Sequence, residues 1–390
     1  MKKIKIAILG STGSIGLSTL EVIKNDKSKF SIELLTANNN YIKLIEQAKS
    51  FNVKNILIKN KNFFKKVKYI LRNTNTNVFY GEKPITKILK KNKLDITVSS
   101  IVGIAGLQPT LEAMKLSKKI AIANKEAIIC GWQILLKYKK KYKTEIVPID
   151  SEHFSIMELT KNYKDQEIDE ILITASGGPF LKKPIKYLKK VKPSQAIKHP
   201  NWKMGKKISV DSANLMNKVL EIIEASKIFD FSSKKYKIII HPQSYVHSII
   251  RFKNGLIKMV LYNSDMKIPI SNILYNGINN FPKIKDVNIK TLNNLNFELV
   301  DKKKFPSVKL VDKCLNSGPS TPTIINASNE VLVSRFLKGK IPFLDIVTTI
   351  NKIFKDKDFK KYARKKPETI HMIKSIDNWA RLKTIDLCVR

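Results

Sequence analysis

The chain has 390 residues, 43% of them hydrophobic and 27% charged, a length and balance that fit two or three globular domains and exclude a disordered or fibrous protein. No apolar run nears the ~18 residues that a membrane span requires. Lysine and arginine number 73 against 32 acids, a formal charge of +41; the lysines are spread over the whole chain and arginine, the better reader of phosphates and bases, is scarce, so specific nucleic-acid binding is not expected. The opening MKKIKIAIL pairs a basic stretch with an apolar one, as a secretory leader does, but the apolar part is too short and runs straight into a glycine turn. The odd, scattered Cys130, Cys314 and Cys388 point to reduced thiols and a cytoplasmic protein.

Residues 4–9 (IKIAIL) predict a first strand, 17–25 a helix and 31–37 a second strand. YIKLIEQAKSF adds a helix and NILIK a strand; DITVSSIVG (95–103), KIAIAN (119–124) and TEIVPID (144–150) add three more strands. Short apolar strands separated by helices imply an α/β fold with a Rossmann-like, doubly wound parallel sheet over residues 1–150. Over 151–275 the texture changes to loops rich in Gly, Pro and Ser, such as TASGGPFLKKP and KHPNWKMGKK. Strands at EILITA, KIIIHP, VHSIIRF and GLIKMVLY predict a central α+β domain carrying the chemistry. Residues 276–305 have little periodicity and read as a connector. Residues 306–390 are helical in pattern and predict a C-terminal bundle.

The first strand ends in GSTGSIG, with Gly10, Gly13 and Gly16 spaced G-x-x-G-x-x-G. Such a turn at a helix N-terminus suits a nucleotide pyrophosphate, with Ser11, Thr12 and Ser14 as added hydroxyl donors, or is merely a tight turn. The second strand runs into Asn38, Asn39 and Asn40, with no acid to accept from a ribose 2′-OH, which favours NADP over NAD. In VPIDSEH, Asp150 and Glu152 are two apart on a chain that reads as extended. In DSANLMNKVLEIIEA, Ser212 suits a helix N-cap, and Asn217, Glu221 and Glu224 share one helical face. Asp150, Glu152 and Glu221 together make an all-oxygen set suited to Mg²⁺ or Mn²⁺ rather than zinc, or else pair with the many lysines. SGGPF places Ser176 before two glycines, a loop able to wrap a small anion, with Ser212, Asn217 and Lys218 as further donors. HPNWKMG reads as a flap, with His199 on substrate and Trp202 excluding water. Asn124, Lys125 and Glu126 follow a strand and reach either ligand or simply start a helix. His241 and His247 read as structural, and no nucleophile constellation is present.

In order along the chain, GSTGSIG, ANKE, DSEH, SGGPF, HPNWKMG, DSANLMNK, LEIIEA, HPQSYVHS and NASNEVLVSRFL resemble the 1-deoxy-D-xylulose 5-phosphate reductoisomerase family. The resemblance implies that Thr12, Gly13, Ser14, Ile15, Asn124, Glu126 and Gly205 contact NADPH, beside Asn38, Asn39 and Asn40, which the end of the second strand puts at the cofactor. It implies that Asp150, Glu152 and Glu221 hold a divalent cation, Mg²⁺ or Mn²⁺ with Co²⁺ also admitted. It puts Lys125, Ser151, Glu152, Ser176, His199, Trp202, Ser212, Asn217, Lys218 and Glu221 around a sugar phosphate, and Lys125, Asp150, Glu152 and Glu221 in the chemistry. The implied reaction is a metal-assisted retro-aldol cleavage and re-addition, then hydride delivery from NADPH, giving 2-C-methyl-D-erythritol 4-phosphate for isoprenoid synthesis, in a homodimer. Lys125 or a metal-bound water moves the protons. One departure stands out: the family commonly has Gly-Lys-Asn where this chain has Asn38-Asn39-Asn40. The alternatives are a plain NADP dehydrogenase of the homoserine or semialdehyde type, and a basic nucleic-acid-binding protein that retains the fold.

Overall fold

The computed structural model describes residues 3–90, 92–202, 204–275 and 287–388. The chain forms two compact units, one of residues 1–127, 133–154 and 266–284, the other of 128–132, 155–265 and 285–390. Of the expected connector, 276–286 lies outside the described residues.

The first unit is built on β1 (Ile4–Leu9), β2 (Phe30–Ala37), β3 (Asn55–Ile58), β4 (Asn77–Tyr80), β5 (Leu94–Ser99), β6 (Ser117–Ile122) and β7 (Glu145–Pro148). All pairings are parallel and the order is β4-β3-β2-β1-β5-β6-β7. The apolar runs of β1 and β2 are almost wholly buried, as strands covered on both faces must be. The strand order reverses between β1 and β5, so their carboxyl ends open the crevice where doubly wound folds bind ligands. The doubly wound parallel sheet was therefore legible in the sequence. The edge strand β4 was not: its four residues, NVFY, are only partly buried and carry no clear period.

The second unit holds β8 (Ile168–Ala175), β9 (Tyr236–Ile240), β10 (Val246–Phe252), β11 (Ile257–Leu261) and β12 (Glu298–Leu299), in the order β11-β10-β8-β9-β12. β8 and β9 run parallel and the other pairs antiparallel. Two helices, Lys206–Ala213 and Met216–Ile228, follow the loop after β8. The C-terminal helices Thr321–Leu337, Asp345–Ile353 and Ile370–Leu387 pack through Ile324, Ala327, Ile353, Ile376 and Ala380.

Candidate active site

In the first unit the glycine turn sits at the crevice. Gly10 is left-handed (φ +85°), and a Cβ there would lie 2.9 Å from the Ser100 carbonyl oxygen, so only glycine lets the end of β1 meet the end of β5. The helix Ser14–Lys24 starts on Gly13 with no side-chain cap, which leaves its N-terminal end to an anion. Thr12, Gly13, Ser14 and Ile15 lie at that start, and Gly13 and Ser14 are exposed. Ser11 departs from its expected role as a ligand donor. It is fully buried, bonds Gln47 Oε1 at 2.7 Å and reaches the Thr36 carbonyl, so its hydroxyl ties the turn to the sheet.

Asn124 caps the helix Lys125–Tyr142 by accepting from the Ala127 N–H at 2.9 Å, while its Nδ2 donates to the carbonyls of Ile101 and Gly103. It thus fixes the β6 end against the loop after β5. Lys125 and Glu126 open that helix and are buried. Lys125 Nζ lies 2.8 Å from Asp150 Oδ2, and His153 Nδ1 lies 4.0 Å from the same oxygen. Ser151 donates to Glu152 Oε2 at 2.6 Å. Asp150 and Glu152 flank the start of the helix Ser151–Thr160 rather than lying on extended chain, because the strand ends at Pro148.

The second unit carries the SGG loop. β8 ends at Ala175, and Gly177 and Gly178 are both left-handed. A Cβ on Gly178 would come within 2.9 Å of Ala213 Cα and the Ser212 carbonyl oxygen. The SGG loop is therefore seated on the C-terminal end of the helix Lys206–Ala213, which brings the chain segments of Ser176 and Ser212 together. His199 accepts the N–H groups of Asn201 and Trp202 at Nδ1 (3.2 and 3.0 Å), so its proton sits on Nε2, which donates to Ser176 Oγ at 2.9 Å. Ser176 Oγ also accepts from the Gly178 N–H at 3.1 Å, which commits its own hydrogen to an outside acceptor. Trp202 meets His247 edge-on at 5.9 Å. Gly205 begins the helix Lys206–Ala213 and is exposed.

Ser212 is not an N-cap. It lies inside the helix Lys206–Ala213, and the next helix starts beyond Leu215, which is left-handed (φ +61°). Asn214 Oδ1 accepts the Met216 N–H at 3.0 Å, and the N-cap position itself is Leu215. In Met216–Ile228 the expected face is realised: Glu221 is 1% exposed, accepts from Asn217 Nδ2, and pairs with Lys218 Nζ at 2.8 Å. Both alternatives for the acids bear on this geometry, since Asp150 and Glu221 each have an ammonium partner.

His241 and His247 both have partners within the protein, His247 Nε2 bonding the Tyr262 carbonyl at 3.2 Å. His241 donates from Nδ1 to the Asn296 carbonyl (2.8 Å), accepts the Tyr245 N–H (3.1 Å) and stacks on Phe297. Burial holds its pKa below the usual value against the opposing Asn296 bond.

Three family models match the chain: 1-deoxy-D-xylulose 5-phosphate reductoisomerase over residues 6–131, the C-terminal domain of that reductoisomerase over 146–229, and the DXP reductoisomerase C-terminal domain over 261–383. The chain is 47% identical over 386 residues to the 1-deoxy-D-xylulose 5-phosphate reductoisomerase of Pelagibacter ubique, covering 99% of this chain and 100% of that one. It is 42% identical over 349 residues to that of Wolbachia pipientis wMel, covering 89% of each. Among solved structures, the Zymomonas mobilis reductoisomerase in complex with NADPH matches with a TM-score of 0.91 at 32% identity, over 99% of both chains. A DOX-P reductoisomerase in complex with NADPH, fosmidomycin and magnesium matches with a TM-score of 0.93 at 31% identity, over 99% of this chain and 98% of that one.

Proposed function

The chain belongs to the 1-deoxy-D-xylulose 5-phosphate reductoisomerase family, and from that membership we propose how its own residues carry the reaction. It is an NADPH- and divalent-metal-dependent oxidoreductase that converts 1-deoxy-D-xylulose 5-phosphate into 2-C-methyl-D-erythritol 4-phosphate in isoprenoid precursor synthesis. The full-length family match carries that conclusion, and it leaves neither the plain dehydrogenase nor the nucleic-acid reading favoured.

The residue roles are our proposal. Residues 1–150 bind NADPH, through Thr12, Gly13, Ser14 and Ile15 at the glycine turn, Asn38, Asn39 and Asn40 at the end of β2, and Asn124 and Glu126, with Gly205 added from the segment that follows. Residues 151–275 bind substrate, with 276–305 a connector and 306–390 a helical domain. Asp150, Glu152 and Glu221 hold the cation; the support is their all-oxygen donor set and the buried, lysine-countered state of Glu221. When bound, the cation acts as a Lewis acid on the substrate oxygens and NADPH supplies the reducing equivalents. Ser176, His199, Ser212, Asn217 and Lys218 grip the sugar phosphate, supported by the seating of the SGG loop on the C-terminal end of the helix Lys206–Ala213. A phosphate held there keeps the fragment that carries it in place while the chain bond breaks and re-forms. Lys125 and Ser151 complete the substrate site, Lys125 moving protons at its Nζ beside Asp150. Trp202 covers the site and excludes water.

We also propose a cytoplasmic homodimer. Cys130, Cys314 and Cys388 are in no disulfide, and no helix among the described residues is long and apolar enough to cross a membrane. Edge strand β11 exposes Ile257 (60%) and Met259 (41%), with Leu256 beside them at 52%, a surface that proteins ordinarily cover. Sedimentation of Ile257→Lys should show a monomer; a persistent dimer would move the interface elsewhere.

The test of the site is Glu221→Gln, assayed by NADPH oxidation with the substrate. Turnover should fall by more than about 10²-fold, and EDTA should abolish wild-type turnover reversibly, while NADPH binding persists in both. Full activity of E221Q would contradict the cation assignment.

A further inference from the structure

We propose that Asn60 is a positioning residue for cofactor choice, orienting Asn39 so that the loop after β2 offers the 2′-phosphate of NADPH amide donors alone. The proposal rests on the reading above that Asn38, Asn39 and Asn40 face the cofactor.

The chemistry starts from a polarity problem. A phosphate only accepts hydrogen bonds, whereas a ribose hydroxyl both donates and accepts. A primary amide presents either its oxygen or its NH₂ group, so an unfixed asparagine cannot tell the two apart. This chain has no lysine at residue 39 to supply a charge instead.

A relay of amides fixes the polarity. The Asn62 N–H donates to Asn60 Oδ1 at 3.0 Å, which commits that oxygen as the acceptor and leaves Asn60 Nδ2 to donate. It donates to Asn39 Oδ1 at 2.9 Å. Asn39 is committed in the same sense, and its Nδ2 is the group left for an outside acceptor. The next residue repeats the device: Asn40 caps the helix Tyr41–Ser50, its Oδ1 accepting the Lys43 N–H at 3.2 Å. Two neighbouring side chains thus have their oxygens engaged by the protein and their NH₂ groups outward.

The position of Asn60 is set by the sheet. Past the last residues of β2 and β3 the ladder continues, Lys59 N–H donating to the Ala37 carbonyl (2.8 Å) and Asn60 N–H to the Asn38 carbonyl (3.2 Å). No acid occurs from 36 to 43 to repel a phosphate. Lys43, Lys59 and Lys61 are exposed around the loop, Lys59 lying 3.5 Å from Glu82, and they add positive field without the geometry that the amides supply.

The test measures binding to the full chain, without turnover, by calorimetry with 2′,5′-ADP and 5′-AMP as probes. Asn60→Ala should weaken 2′,5′-ADP by about fivefold, the cost of ordering one freed side chain on binding, and leave 5′-AMP within about twofold. Asn60→Ser, too short to reach Asn39, should behave alike. If both variants leave the 2′,5′-ADP to 5′-AMP ratio unmoved, or weaken both probes equally, the relay has no orienting role. Asn39→Asp reads the underlying assignment separately, because it sets a carboxylate against the phosphate. Unchanged 2′,5′-ADP binding by N39D would remove the loop from the cofactor site altogether; weakened binding by N39D with none by N60A would overturn the relay alone.

Discussion

Gly178→Ala tests the proposed phosphate cradle apart from the cofactor. Two costs act on it together. At φ +66° an alanine is in the left-handed region, which costs about 1–2 kcal/mol. Its Cβ would also stand 2.9 Å from Ala213 Cα and from the Ser212 carbonyl oxygen, about 0.6 Å inside the ~3.5 Å at which carbon atoms rest. Neither neighbour is the loose end of a side chain, so the loop and the C-terminal end of the helix Lys206–Ala213 must separate by roughly that amount. Ser176 and Ser212 ride on the two parts that move, and misplacement on the order of 1 Å costs about 10²-fold in rate. Steady-state NADPH oxidation should therefore show kcat/KM for the sugar phosphate down by about 10–10²-fold. The dissociation constant for NADPH should be unchanged, and the protein should remain folded by circular dichroism. Wild-type kcat/KM in a folded G178A protein would refute the cradle.

Two further outcomes follow from other sites. Asn124→Ala removes a helix cap and leaves the Ile101 and Gly103 carbonyls without their donor, so urea denaturation should show a loss of at least about 2 kcal/mol; a loss under about 0.5 kcal/mol would mean that the bonds do not anchor the loop. His241 has its pKa lowered by burial, so the unfolded chain binds the extra proton and stability falls as pH drops below about 6.5. Thermal melts from pH 7 to 5 should fall more steeply for wild type than for His241→Gln; parallel slopes would show that His241 contributes no pH dependence.

The strands of the first sheet, β4 apart, were legible because buried parallel strands leave continuous apolar runs, as in IKIAIL and SIELLTA. The site motifs were legible as residue types at short spacing, and Asn217 with Glu221 falls on one helical face as the i, i+4 spacing requires. Misreadings arose where one signal had two physical uses. Ser11 and Ser212 carry hydroxyls at plausible ligand and cap positions, yet Gln47 takes the first, and the second lies inside one helix while the N-cap of the next is Leu215. Asn60 gave no local signal at all, because its partner Asn39 is 21 residues away and the two meet only once β3 pairs with β2. The approach of Gly178 to Ala213 is equally invisible along the chain, since two glycines in sequence do not say what they pass.

The left-handed Leu215 has a consequence for how ligands influence one another. It is 1% exposed, and it joins the short helix that carries Ser212 to the one that carries Glu221. A non-glycine residue in that conformation has few neighbouring states to relax into, and Ser307, which donates to the Asn214 carbonyl, clamps the preceding residue. The joint therefore transmits rather than absorbs a tilt of the longer helix. With Ser212 and Glu221 in their proposed roles, occupancy at one end changes affinity at the other, and by thermodynamic reciprocity the effect must be equal in both directions.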